Sequence, residues 1–286
     1  MICSIYLRFT MKYFLSIALL FVLISCGEEK TKEEIQERKE AISKLDLEVP
    51  EVESIFEKHG FDGSFVLYDP VENEKKYYNK DRCRERFSPA STFKIANSLI
   101  ALETGVASGK DHKIKWDGKE RHYDSWNQDH DLQSAFSNSV VWYYQELARR
   151  IGKERMQEYI EKFDYGNENI SGDIDKFWLD GALKISQEEQ IDFLAKLYNN
   201  ELPLSDENMN KVKEIMAAEE NPEYLIRAKT GASDKTGWYV GWVEKDNKAF
   251  FFATNIERKE PFEKFMEARI SITQDLLDHY KIIEKK

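Results

Sequence analysis

Strand-like segments stand towards both ends of this chain and helical patterns fill the middle, a distribution that few folds accept. Ser64-Phe-Val-Leu-Tyr-Asp69 is rich in apolar and aromatic residues over a strand's length, and far downstream Gly237-Trp-Tyr-Val-Gly-Trp-Val243 and Ala249-Phe-Phe-Phe-Ala-Thr254 flank the polar stretch Glu244 to Lys248. The second pair reads as a hairpin. Between these β segments lie helical patterns from Ser91 to Glu103, stopped by Gly105, from Val140 to Ile151, stopped by Gly152, and from Gln187 to Asn199, before Pro203. Pro261 to Tyr280 adds a last amphipathic helix. The expected fold class is therefore α+β, an α/β sandwich in which both chain ends complete one antiparallel sheet and a helical region is inserted between them. A cleft between sheet and helices is the natural place for a site.

The ends of the chain carry other information. Met11-Lys12 precedes an apolar run from Tyr13 to Ile24, well short of the roughly 20 residues that cross a bilayer, so residues 1–25 read as a secretory signal, with Met11 as an alternative start. Leu23-Ile-Ser-Cys26 resembles a bacterial lipoprotein box, which implies lipid attachment at Cys26 and an exported, periplasmic or outer-membrane-associated lipoprotein that meets the membrane only through its anchor. Residues 26–48 are almost wholly polar and suit a charged tether, leaving 49–286 as the folded domain. A net charge of -11 opposes a phosphate backbone, so nucleic acid is not an expected partner. With Cys3 in the leader and Cys26 lipidated, Cys83 has no intramolecular partner and reads as a structural thiol. His59, His112, His122, His130 and His279 are scattered without metal-site spacing, and the stretch holding Asp124, Asp129 and Asp131 reads as an exposed polar loop near the cleft. No metal is expected.

The chemistry starts at Pro89-Ala-Ser-Thr-Phe-Lys94. A Ser hydroxyl is a poor nucleophile until a base takes its proton, and a Lys three residues later on a helix shares its face. Ser91 at a helix start also meets free backbone N–H groups that favour an oxyanion. Phe93, Ile95, Ala96, Leu99, Ile100 and Leu102 leave this helix almost no polar face, so it is expected to be central and Lys94 partly desolvated, with a lowered ammonium pKa. The bland alternative is a capped helix with a snorkelling Lys. Two further triplets weigh against it. Lys229-Thr230-Gly231 precedes the aromatic hairpin, where a small Gly allows a substrate to lie along a strand edge, although the triplet alone also suits a turn. Ser139-Val-Val141 opens another helix, with a hydroxyl able to pass a proton to a leaving nitrogen or simply to act as an N-cap. Ser-x-x-Lys, Ser-Asp-Asn and Lys-Thr-Gly occur together in class A β-lactamases and penicillin-binding proteins, and here Ser-Val-Val replaces the middle element.

With that substitution the chain resembles a class D, oxacillinase-type, serine β-lactamase, from about residue 60 to the final helix. The resemblance rests on Pro-Ala-Ser91-Thr-Phe-Lys94, Ser139-Val-Val141 with Tyr144-Gln-Glu146, Tyr165-Gly-Asn167, Phe177-Trp-Leu-Asp-Gly181, Lys229-Thr-Gly231 and Gly237-Trp-Tyr-Val-Gly-Trp242. Trp142 departs from it, standing where the family usually has Pro. The resemblance implies β-lactam antibiotics as small-molecule substrates, Ser91 as the acylated nucleophile, and Lys94 carboxylated by CO2 into a carbamate base, with no other cofactor. It implies that the Trp178 indole donates to the carbamate while Val141 and Leu179 keep that corner dry. Ser139 and Lys229 join the catalytic set. Lys229, Thr230 and Arg269 are expected at the substrate carboxylate, with Arg269 as a surface ion-pairing residue the bland alternative. The N–H groups of Ser91 and Ala232 are expected to form the oxyanion hole. Trp116, Trp126, Trp238 and Trp242 read mostly as packing. A β-lactam sensor or penicillin-binding transpeptidase, acylated without turnover, is the alternative enzyme-like reading, and a non-catalytic binding lipoprotein is a further one.

Overall fold

Alternating and continuous apolar runs each find a place in one six-stranded sheet. A computed structural model describes residues 50–285, so the leader, Cys26 and the whole tether lie outside the described residues. Residues 50–59 are helical (α1). The chain then enters the hairpin β1 (Gly63–Asp69) and β2 (Glu74–Tyr78), and it returns much later as β3 (Ala217–Glu220), β4 (Leu225–Ala232), β5 (Thr236–Lys245) and β6 (Lys248–Glu257). The order across the sheet is β2-β1-β6-β5-β4-β3, antiparallel throughout. The first strand lies against the last, with Gly63 opposite Ile256 and Tyr68 opposite Phe251, so both chain ends do complete the sheet as expected. Strand β5 is buried from Thr236 to Val243 because both of its faces are covered, which explains its uninterrupted apolar and aromatic run. The turn after it is shorter than Glu244 to Lys248. Only Asp246 and Asn247 leave the ladder, both at positive φ, the pairing that a two-residue hairpin turn demands and that Asp and Asn tolerate.

Eight further helices complete the described residues apart from short 3₁₀ turns: α2 (Lys80–Arg84), α3 (Lys94–Glu103), α4 (Leu132–Ser137), α5 (Val141–Ile151), α6 (Lys153–Lys162), α7 (Gln187–Tyr198), α8 (Asp206–Ile215) and α9 (Phe262–His279). Helices α7 and α9 cover opposite faces of the sheet. On β6, Phe251 meets Tyr198 of α7 while the Thr254 hydroxyl bonds Thr273 of α9, and residues three apart on a strand point to opposite sides. A capping box between Ser186 and Glu189 explains why α7 begins at Gln187. Every residue of α3 from Lys94 to Leu102 is buried, as its missing polar face requires, and two of its polar members bond to α5: Asn97 Nδ2 donates to the Tyr144 carbonyl at 3.2 Å, and Ser98 Oγ lies 2.9 Å from the Tyr144 hydroxyl. Cys83 is buried with its Sγ 3.4 Å from the Phe65 carbonyl, and burial pushes its thiol up to about 12, so it packs and does not react. Among the described residues no helix is long and apolar enough to cross a membrane.

Candidate active site

The expected helix start at Ser91 is a tighter turn. Ala90–Phe93 is 3₁₀, and the α-helix proper begins only at Lys94. Three residues per turn bring side chains i and i+3 into line, and Lys94 Nζ lies 2.8 Å from Ser91 Oγ. The adjacency follows from this local geometry. Lys94 is fully buried, beyond the partial desolvation expected, which rules out a snorkelling side chain. Burial alone lowers its amine to about 7.

Two supports hold this turn. Ala90 takes φ 47°, a left-handed conformation that costs a non-glycine residue energy, and its N–H donates to the Trp178 carbonyl at 2.9 Å. Ser88 Oγ adds bonds to the carbonyls of Trp178 and Leu179 at 3.0 and 2.6 Å. The segment Phe177-Trp-Leu179 thus clamps the nucleophile turn. Trp178 is fully buried and stacked on Phe93 at 5.4 Å, but its indole Nε1 has no hydrogen-bond partner. A buried donor left unpaired is costly, which sets Trp178 apart from ordinary core packing.

Strand β4 brings the third motif. Strand β3 pairs only with Leu225 to Arg227, so residues 229–232 have no strand partner on that side and form an open edge beside the Ser91 turn. Gly231 is needed for that approach, because a Cβ there would stand 2.9 Å from the Pro89 carbonyl oxygen and 3.1 Å from Thr92 Cγ2. Lys229 is buried and donates from Nζ to Ser139 Oγ at 2.6 Å. Ser139 is therefore not an N-cap. It sits at φ 56° in the turn before α5, whose cap position is Val140, and the left-handed backbone aims its hydroxyl at Lys229. The Lys229 ammonium is pushed well below its usual range by burial, then by Lys94 and Arg269. Arg269 is no surface ion-pairing residue. It lies well inside α9, buried, with Nη1 donating to the Gly231 carbonyl at 2.9 Å, and burial lowers its guanidinium to about 10. Among the described residues none of these three basic groups has a carboxylate within salt-bridge range. Arg269, still a cation with its guanidinium at about 10, is buried without a counter-ion, and such a charge marks a place suited to an anion.

Ser91, Ser139, Val141, Leu179, Thr230, Gly231, Ala232 and Arg269 all line one cavity of about 290 Å³, with Lys94 and Trp178 behind its wall. A larger cavity, about 1120 Å³, opens elsewhere between Tyr68, Arg86 and Phe193, and it contains none of the residues expected to act on a substrate. Charges there neutralise one another, as in Arg86 with Glu189 and Lys75 with Asp192. The smaller cavity has the chemistry. Its lining includes residues to which the sequence reading assigned no role: Tyr123 and Ser125, Asn138, and Phe262 and Met266. Trp126, read as packing, lines it too, whereas Trp238 and Trp242 are core. Phe262, Met266 and Arg269 stand at i, i+4 and i+7 on α9, a helical stripe that periodicity alone exposes once one member is placed. Trp142 does not displace the helix start, since α5 begins at Val141 and the indole is buried beneath the cavity loop.

Residues 63–278 match the family model described as the penicillin binding protein transpeptidase domain. The β-lactamase OXA-48 of Klebsiella pneumoniae is 47% identical over 232 residues, covering 80% of this chain and 87% of that protein, and OXA-10 of Pseudomonas aeruginosa is 42% identical over 78% of this chain and 88% of that one. The crystal structure of the class D β-lactamase YbXI from Nostoc superposes with a TM-score of 0.78 at 42% identity, over 81% of this chain and 99% of the other. Sheet order, a serine in contact with a buried lysine and these likenesses converge: the chain belongs to the class D serine β-lactamases.

Proposed function

We propose that this protein hydrolyses the lactam ring of β-lactam antibiotics through an acyl-enzyme on Ser91 and so confers resistance to them. The observation that carries the reading is the Ser91–Lys94 contact at 2.8 Å with the amine wholly buried. A neutral amine is the form that both accepts a proton and reacts with CO2, and burial favours it. Carboxylation of Lys94 fits the surroundings, because the unpaired Trp178 Nε1 offers a donor and Val141 and Leu179 line the adjoining apolar wall. The carbamate would supply a base at Lys94 that takes the Ser91 proton in acylation and a water proton in deacylation.

The remaining roles belong to side chains and backbone. Ser91 Oγ adds to the lactam carbonyl, the carbon–nitrogen bond breaks, and water later releases the acid and restores Ser91. The Ser91 and Ala232 N–H groups, at the start of a helical turn and the end of β4, are assigned to the developing oxyanion. Ser139, held by Lys229, is assigned the proton delivered to the leaving nitrogen. Arg269 and Thr230 are assigned the substrate carboxylate, for which Arg269 keeps an unpaired buried Nε. Removing Arg269 with alanine is expected to raise KM at least tenfold with a smaller change in kcat, as loss of binding shared by ground and transition states does. Steady-state kinetics check it, and an unaltered KM would remove the carboxylate role.

Multiple turnover of nitrocefin by the purified domain tests the whole reading. Continuous hydrolysis is expected, whereas a single burst of one equivalent would assign the chain to acylated, non-hydrolysing relatives such as sensors or transpeptidases. We further propose export and lipid anchoring at Cys26, which the basic, apolar and Ser25-Cys26 sequence supports. Cys26→Ser in the full chain is expected to move activity from the membrane to the soluble fraction, and unchanged fractionation would sink the anchor.

A further inference from the structure

We infer that Trp142 is a positioning residue that fixes the cavity wall formed by residues 121–127 and thereby sets which substrate side chains the cleft admits. The inference rests on the hydrolase reading above for its substrate, though not for its geometry. Trp142 is buried in the first turn of α5, and its Nε1 donates to the Trp126 carbonyl at 2.9 Å. The Trp126 indole in turn donates to the Asn138 carbonyl at 2.9 Å, one residue before Ser139. Two indoles thus tie the wall to the Ser139 turn and the first turn of α5 by successive side-chain-to-backbone bonds. The wall is also closed on itself, since Arg121 N–H donates to Asn127 Oδ1 at 2.8 Å and Asn127 Nδ2 to the Arg121 carbonyl at 3.0 Å. Its Arg121 guanidinium lies over the Trp142 ring at 5.4 Å.

What this clasp presents to the cavity is Tyr123 and Trp126, with ring centroids 5.0 Å apart, in the same lining as Ser91. Tyr123 is 39% exposed, and its ring contacts, with His122 and Trp126, both lie within the same loop, so its position depends on that loop. A second pin is His130, whose Nε2 lies 2.8 Å from the neighbouring Ser125 carbonyl. Loss of the Trp142 N–H therefore leaves the Trp126 carbonyl without its donor, and the wall is held by His130 on Ser125 and by the Trp126 indole on Asn138 where it had three ties. The expected consequence is a looser aperture with the fold retained.

Trp142→Phe keeps a ring beneath Arg121 and deletes the donor. Hydrogen exchange followed by mass spectrometry on the whole domain is expected to show faster exchange in residues 121–127 than in wild type, with Tm within a few degrees. Against two penicillins that differ only in the size of the acylamino group, the ratio of their kcat/KM values is expected to shift by roughly fivefold, the scale of one partly buried hydrogen bond, mainly through KM. Unchanged exchange in 121–127 would overturn the inference, as would an equal fall for both penicillins. Arg121→Met, which removes the cation above the ring, is the second variant, and it should accelerate exchange in the same segment. Should wild type fail to turn over β-lactams, the hydrolase reading falls while the exchange result still decides the role of Trp142 in the wall.

Discussion

Ser91→Ala is expected to abolish covalent labelling by penicillin and to reduce β-lactam turnover by on the order of a millionfold, the scale seen when a serine hydrolase loses its nucleophile. The reasoning is geometric. Ser91 is the cavity hydroxyl in contact with the fully buried Lys94 amine one short turn away, and the turn that carries it is held by Ala90 and Ser88 on the Trp178–Leu179 backbone, not by its own side chain. The variant should accordingly fold, and near-native thermal unfolding would establish that it does. Removing the hydroxyl leaves Lys94 without its Ser91 contact, but an amine near 7 can stay neutral in that place. Intact-protein mass spectrometry after incubation with penicillin reads the result. An adduct on the alanine variant would place the nucleophile on another residue, Ser139 being the next hydroxyl in the cavity.

Lys94→Ala is expected to separate the two halves of the reaction. Acylation should slow by about two to four orders of magnitude, the usual contribution of a positioned base, and deacylation should slow further, so that the acyl-enzyme accumulates and survives to be detected by mass. The wild-type enzyme should respond to bicarbonate and the variant should not. The sign of the pH dependence follows from burial. An amine lowered to about 7 becomes an ammonium below that pH, can neither accept a proton nor react with CO2, and so activity should fall as pH drops through about 7 and rise on return. Added bicarbonate should raise activity above that pH and help little below it. Turnover indifferent to bicarbonate, together with an active Lys94→Ala variant, would defeat the carbamate role assigned to this residue.

Much of the fold was legible because its signals are local. The strand run at Ser64–Asp69, the aromatic hairpin and the apolar helix after Ser91 each carry a period and a stop signal within a few residues, and all three elements are present. Strands β2 and β3 were missed, since Glu74–Tyr78 and Ala217–Glu220 are half-polar edge strands with no buried face to imprint a pattern. In the site, the motifs identified Ser91, Lys94, Ser139 and Lys229, but not that the last two share a hydrogen bond across 90 residues of chain. Tyr123, Ser125 and Asn138 carry no motif at all, and a loop residue acquires a role only from what it faces.

Residue types and spacing alone determined which groups are available: a hydroxyl and an amine three residues apart on an apolar segment, a lysine just before the aromatic hairpin, an arginine on the last helix. Tertiary structure decided the rest. It made the turn at Ser91 3₁₀, buried Lys94 completely, put Ser139 in a left-handed conformation against Lys229, and left Trp178 and Arg269 each with a buried nitrogen lacking a partner. Burial is a sum over neighbours from distant parts of the chain, and proton affinity follows burial, so the reactivity of these groups exists only once the sheet and the helices have closed around them.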